Sequence, residues 1–230
     1  GNQALDAQTT GNSNTALGYG ALTDSQDGER NTAVGNLAGN DITSGVDNTC
    51  VGYQALGGVT SGNYNIGVGR NTLNATTTAS ANVAVGYTAM AVNTASNNVA
   101  VGHAAMEANA GGTENVAVGS NALDANVDAS YNTALGSYAL SGNTSGASNT
   151  GLGRYAGKAV TTGSNNVLVG KSAAAATTVG SDNTAIGTSA LYTNVDGSRN
   201  TAVGTSALYY TDPASAVNMN NTAVGHDAGL

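Results

Sequence analysis

The pentapeptide NTAVG at residues 31–35 returns unchanged at 200–204 and 221–225. Close variants fill the interval: NTALG, NTCVG, NIGVG, NVAVG, NVLVG and NTAIG. Numbering each phrase from its first residue puts an asparagine at position zero thirteen times: Asn14, Asn31, Asn48, Asn65, Asn82, Asn98, Asn115, Asn132, Asn149, Asn166, Asn183, Asn200 and Asn221. Ten of the twelve spacings are 17, one is 16 and one is 21. A fixed phrase joined to a freer one at constant period is the signature of a stacked repeat.

Within the phrase, position one is Thr, Val or Ile, and position three is Val, Leu or Ile. Position two is small except at Leu168. Position four is glycine in every unit: Gly18, Gly35, Gly52, Gly69, Gly86, Gly102, Gly119, Gly136, Gly153, Gly170, Gly187, Gly204 and Gly225. The alternation has period two and predicts a short strand, and the glycine predicts a corner where φ is positive or a side chain would clash. Position seven is Ala except at Thr72, and position eight is most often Leu or Met, which reads as a second short strand. The eight positions from nine to sixteen vary mostly among Gly, Ser, Thr, Asn, Asp and Ala. The short unit loses its residue there, and the long unit carries the insertion YYTDPASAVNMN with the sole proline, Pro213.

A 17-residue unit is too short for a helical-hairpin repeat, so the expected fold is an all-β parallel β-solenoid (β-roll) of about 13 turns. At ~4.8 Å per turn such a coil is a rod on the order of 60 Å long. The expected organisation is a single β-solenoid repeat domain over residues 1–230. Both ends fall mid-unit, which suggests a window on a longer repetitive chain. The stacked asparagine amides are expected to form a hydrogen-bonded ladder. The larger residues at positions one and three are expected to fill the inside of the coil. That leaves the alanines at two and seven as a seam that another chain approaches closely. The opposite orientation satisfies the same alternation.

Composition narrows the function. The 230 residues include no Trp or Phe, 33 Gly and 9% charged residues, with a net charge of −8. The core must therefore be thin. Six scattered basic residues make no patch for nucleic acid, and no apolar run is long enough to insert this segment in a membrane. One cysteine, Cys50, excludes an internal disulfide framework; it occupies a small-residue slot and reads as buried. Of fourteen acids, thirteen lie in the variable loop (Asp6, Asp24, Asp27, Glu29, Asp41, Asp47, Glu107, Glu114, Asp124, Asp128, Asp182, Asp196 and Asp212), where solvated carboxylates are expected; Asp227 alone lies in the fixed part. Asp24, Asp27 and Glu29 form the best calcium candidate, against the simpler reading of a wet loop. His103 and His226 share position five with Tyr19, Tyr53, Tyr87, Arg70, Arg154 and Lys171, a row expected to be exposed. An ice-binding face would need an unbroken threonine row, and Ile66, Val83, Val99, Val116 and Val167 interrupt this one. No catalytic residue, metal site or cofactor is expected.

The stretches NTALGYGAL, NTCVGYQAL and NTAIGTSAL resemble the head repeats of trimeric autotransporter adhesins and the NTAxGYxAL repeats of phage tail-fibre-like surface proteins. The resemblance covers all thirteen units. It implies a left-handed parallel β-roll with three chains side by side, exported to the cell surface or carried on a virion fibre. The expected function is a non-catalytic structural shaft or head segment. The alternative is an adhesive module whose loops bind a host glycan or protein, and a glycan-degrading solenoid is the third reading.

Overall fold

A computed structural model describes residues 1–211 and 217–230. Asp212 and Pro213 of the long insertion lie outside the described residues. The chain is an all-β parallel β-solenoid with no helix among the described residues, arranged as two compact units, Gly1–Glu114 and Asn115–Leu230.

The first unit contains β1 (Thr15–Leu17), β2 (Thr32–Val34), β3 (Thr49–Val51), β4 (Ile66–Val68), β5 (Val83–Val85) and β6 (Val99–Val101). The second contains β7 (Val116–Val118), β8 (Thr133–Leu135), β9 (Thr150–Leu152), β10 (Val167–Val169), β11 (Thr184–Ile186), β12 (Thr201–Val203) and β13 (Thr222–Val224). Each strand is positions one to three of the repeat. Inside each unit, successive strands pair in parallel with like over like, as in Thr32↔Thr49, Ala33↔Cys50 and Val34↔Val51. The short unit keeps this register, Val83 facing Val99, and so does the long one, Thr201 facing Thr222. Their length changes are absorbed outside the strands.

The orientation is the reverse of the expected one. Position two points inward: Ala33, Cys50, Ala84, Ala134 and Ala185 are fully buried. Positions one and three point outward, and Leu17, Leu135 and Leu152 are exposed. The alanines at position seven (Ala38, Ala55, Ala122, Ala139) are buried too, so they pack the chain's own core and form no seam. The reason is volume. The coil encloses too little space for two β-branched side chains per strand, and one methyl from positions two and seven plus one Leu or Met from position eight fill it.

The second strand is absent as well. Positions five to ten are turns, because positions six and eight have positive φ, for example Leu37 (55°) and Leu56 (55°). A turn closes from the corner glycine to position seven, as in Ala38 N–H to Gly35 O (3.4 Å). Positive φ at its third residue is the mark of a type II turn. A β-branched side chain is strained at positive φ. Position eight accordingly holds Leu, Met, Ala or Gly and never Val or Ile. Backbone bonds between turns persist through this region, with Leu22 N–H donating to Ala38 O (3.0 Å).

The corner glycines adopt φ of +130° to +144°. A Cβ on Gly69 would lie 2.2 Å from Gly86 O on the next turn. Leu168, the large exception at position two, fits because Gly157 takes position eight one turn earlier. A Cβ on Gly157 would lie 2.5 Å from Leu168 Cδ1.

Candidate functional site

In each unit the asparagine row sits where the loop enters the strand, buried from Asn31 to Asn200 and half-buried at Asn14 and Asn221. Asn31 Oδ1 accepts from the backbone N–H of Asn48 (2.9 Å), and Asn31 Nδ2 donates to Gly45 O (2.7 Å) on the following turn. Asn48, Asn65 and Asn149 repeat the same pair of bonds. Direct amide-to-amide bonds supplement it, as from Asn166 Nδ2 to Asn149 Oδ1 (3.0 Å). The side chain thus satisfies a backbone donor and a backbone acceptor that the bend removes from the strand ladder.

A second buried column lies at position eleven, among residues read from sequence as freely variable. In the first unit it holds Ser25, Ile42, Val59, Thr76, Asn93 and Asn109, and in the second Asn126, Asn143, Val160, Thr177 and Asn194. Asn109 Nδ2 donates to Asn93 Oδ1 (2.6 Å) and to Gly112 O (2.8 Å). The available signal was size: this position is never Gly, Pro or charged from Ser25 to Asn194. Its mixture of polar and apolar residues disguised it.

Chemistry-bearing side chains do not converge. Among the described residues no three His, Cys, Asp or Glu come together as a metal site. Glu29 and Asp47 flank Arg30 at 2.8 and 2.7 Å, which draws Asp47 below the usual carboxylate range through the Arg30 hydrogen bond. Asp27 accepts from Thr10 Oγ1, and Glu29 also accepts from Asn12 Nδ2 (3.0 Å). Exposed His226 pairs with Asp227 at 2.9 Å, and the ring of His103 stacks on Tyr87 with centroids 5.5 Å apart. Cys50 is buried, and burial pushes its thiol up to about 12. It holds no thiolate at neutral pH.

Two surfaces remain. The first is the outward strand face. Positions one and three carry no charged residue in any turn, and they leave Leu17 64% and Val224 69% exposed. The second is the turn face, where planar side chains stack along the coil. Arg70 lies 5.3 Å from the Tyr53 ring and 5.9 Å from Tyr87. In the second unit, Tyr192 stacks on Tyr209 at 5.1 Å and 10°. Beside it a cleft of about 590 Å³ opens across three turns, lined by Tyr155, Lys158, Ser172, Ala175, Thr178 and Tyr192 among others. Among the described residues, no helix is long and apolar enough to cross a membrane.

Comparison of the chain with protein-family models, curated proteins and solved structures found no match to any of them.

Proposed function

We propose that this chain is a non-catalytic structural segment, shaft or head, of an extracellular fibre on a cell surface or virion. Three copies lie side by side as left-handed β-rolls, as the resemblance of NTALGYGAL and its sister repeats to trimeric adhesin heads and tail-fibre-like proteins implies. The observation that carries the reading is the uncharged outer strand face. In each unit it presents Thr, Val, Ile and Leu in register at one strand spacing, with Leu135, Leu152 and Ile186 all exposed. Exposed apolar surface of this kind marks an interface. A second copy carries the same side chains at the same spacing, so its ridges meet equivalent grooves at every turn. Light scattering on the purified chain tests this. The expected particle has three times the mass of one chain, and a monomer at micromolar concentration would contradict the assembly.

Adhesion to a host glycan or protein through the turns is the second reading, favoured by the tyrosine-walled cleft of the second unit. Catalysis has no comparable support, since the carboxylates are dispersed around the loops.

A further inference from the structure

Lys158, Ala175 and Tyr192 occupy position nine of three successive turns. Two large side chains thus stand about 9.6 Å apart along the coil, with a single methyl between them. That spacing admits one ring with ordinary van der Waals clearance on both sides. The Tyr192 wall is rigid because its other face is stacked on Tyr209, which in turn meets Tyr210 edge-on at 4.6 Å. The opposite wall carries one cation, Lys158, whose Nζ lies 5.1 Å from the Tyr155 ring; Arg154 packs on that ring from outside the lining, with Cζ at 4.3 Å. Ser172 and Thr178 line the same space with hydroxyls.

The charge setting is unusual for this protein. The chain carries −8 overall, yet no carboxylate occurs between Asp128 and Asp182, while Arg154, Lys158 and Lys171 all do. The Thr178 hydroxyl donates toward Val195 O (3.3 Å) and Asp196 Oδ1 (3.2 Å), which leaves its oxygen to accept from a ligand.

From these observations we infer that the Lys158–Ala175–Tyr192 slot binds a carboxylated saccharide. The apolar face of one sugar ring lies on Tyr192, its carboxylate meets Lys158, and its hydroxyls meet Ser172 and Thr178. A stacked aromatic supplies contact to the C–H face of a pyranose at low entropic cost, and a lysine supplies a point charge for the acid group. An uncharged sugar would leave Lys158 unused. The inference rests on the adhesive reading and not on the self-assembly reading. Attachment to cells fails or succeeds separately from binding of a defined oligosaccharide, so the two are tested apart.

The experiment is calorimetric titration of the full chain with trigalacturonate, with a sulfated trisaccharide of similar size and with neutral cellotriose. The expected result is saturable binding of trigalacturonate that weakens as salt is raised. Lys158→Gln and Tyr192→Ala are each expected to weaken it about tenfold, while Tyr192→Phe retains it. Arg30→Gln serves as the control, because that cation is already engaged by Glu29 and Asp47. Each variant is first shown to keep the parent circular dichroism spectrum. No binding of trigalacturonate overturns the inference. So does equal binding of cellotriose, a preference for the sulfated sugar alone, or indifference to both the Lys158 and Tyr192 substitutions.

Discussion

The side-chain oxygen of Asn149 accepts from the backbone N–H of Asn166 at 3.0 Å, one full turn further along the chain. Its amide nitrogen donates to Gly163 O at 2.8 Å on that same turn. One buried side chain therefore holds two points of the next turn, beside the parallel strand ladder that joins the same turns.

Asn149→Ala removes these two bonds, and with them the one that Asn166 Nδ2 donates to Asn149 Oδ1, and leaves a buried N–H and a buried C=O without partners. At about 1–3 kcal/mol for each orphaned group, the loss is about 2–6 kcal/mol. Asn149→Asp keeps the acceptor but sets a carboxylate against Gly163 O, and it is expected to be no better tolerated. Thermal denaturation followed by circular dichroism measures both. An unchanged midpoint for the alanine variant would show that the clamp carries no stability.

Leu123 is buried with φ of 54°. Leu123→Ile places a β-branched residue in the left-handed region and is expected to cost about 1–2 kcal/mol beyond any repacking. Leu123→Met keeps an unbranched Cβ and should stay within about 1.5 kcal/mol of the parent. Equal effects in denaturant titrations would mean that backbone strain does not select the residue at position eight.

Neighbours on β8 separate inside from outside. Ala134→Leu forces extra volume into the closed core and is expected to destabilise by about 1–3 kcal/mol. Leu135→Ser, one residue on, should leave single-chain stability within about 0.5 kcal/mol but reduce the mass of the assembled particle. The opposite pattern would restore the discarded orientation.

Asp124 has an unpartnered buried oxygen, Oδ1, and burial raises its carboxyl above the ordinary value despite the hydrogen bond from Asn121 Nδ2. A group whose folded value is raised favours folding in its protonated form. That contribution is present below the unfolded carboxylate range and is lost as pH rises through the folded value. Asp124→Asn should therefore raise the melting temperature at pH 7, with the advantage shrinking as pH falls through the raised folded value and gone below the unfolded carboxylate range. An advantage that is constant with pH would assign the effect to something other than ionisation.

The repeat, the strand at positions one to three and its parallel register could be read from the recurrence of the Asn31–Gly35 phrase, because period-two alternation at constant spacing leaves few other folds. Which face turns inward could not, since alternation is symmetric between the two sides. Volume decides it, and position two, small in every turn but that of Leu168, was the clue. The Ala–Leu pair resembled a strand because two residues carry no periodicity. The telling feature was the absence of Val and Ile at position eight, which reports left-handed φ at residues such as Leu22 and Met90. The Asn93–Asn109 column stayed hidden because its row is united by size and not by polarity. The Lys158–Tyr192 slot emerges only once the register stacks position nine of successive turns.

Register itself is the central claim, and distances between paired nitroxide labels test it most directly. In a Cys50→Ala background, cysteines at Ser120 paired with Lys171, Thr188 or Thr205 place labels three, four and five turns apart on the row at position five. With labelled chain diluted in unlabelled chain, the account expects the distance to grow by about 4.8 Å for each added 17-residue step. Distances that fail to rise in equal steps of that size, or that spread broadly, would contradict a coil in which like sits over like.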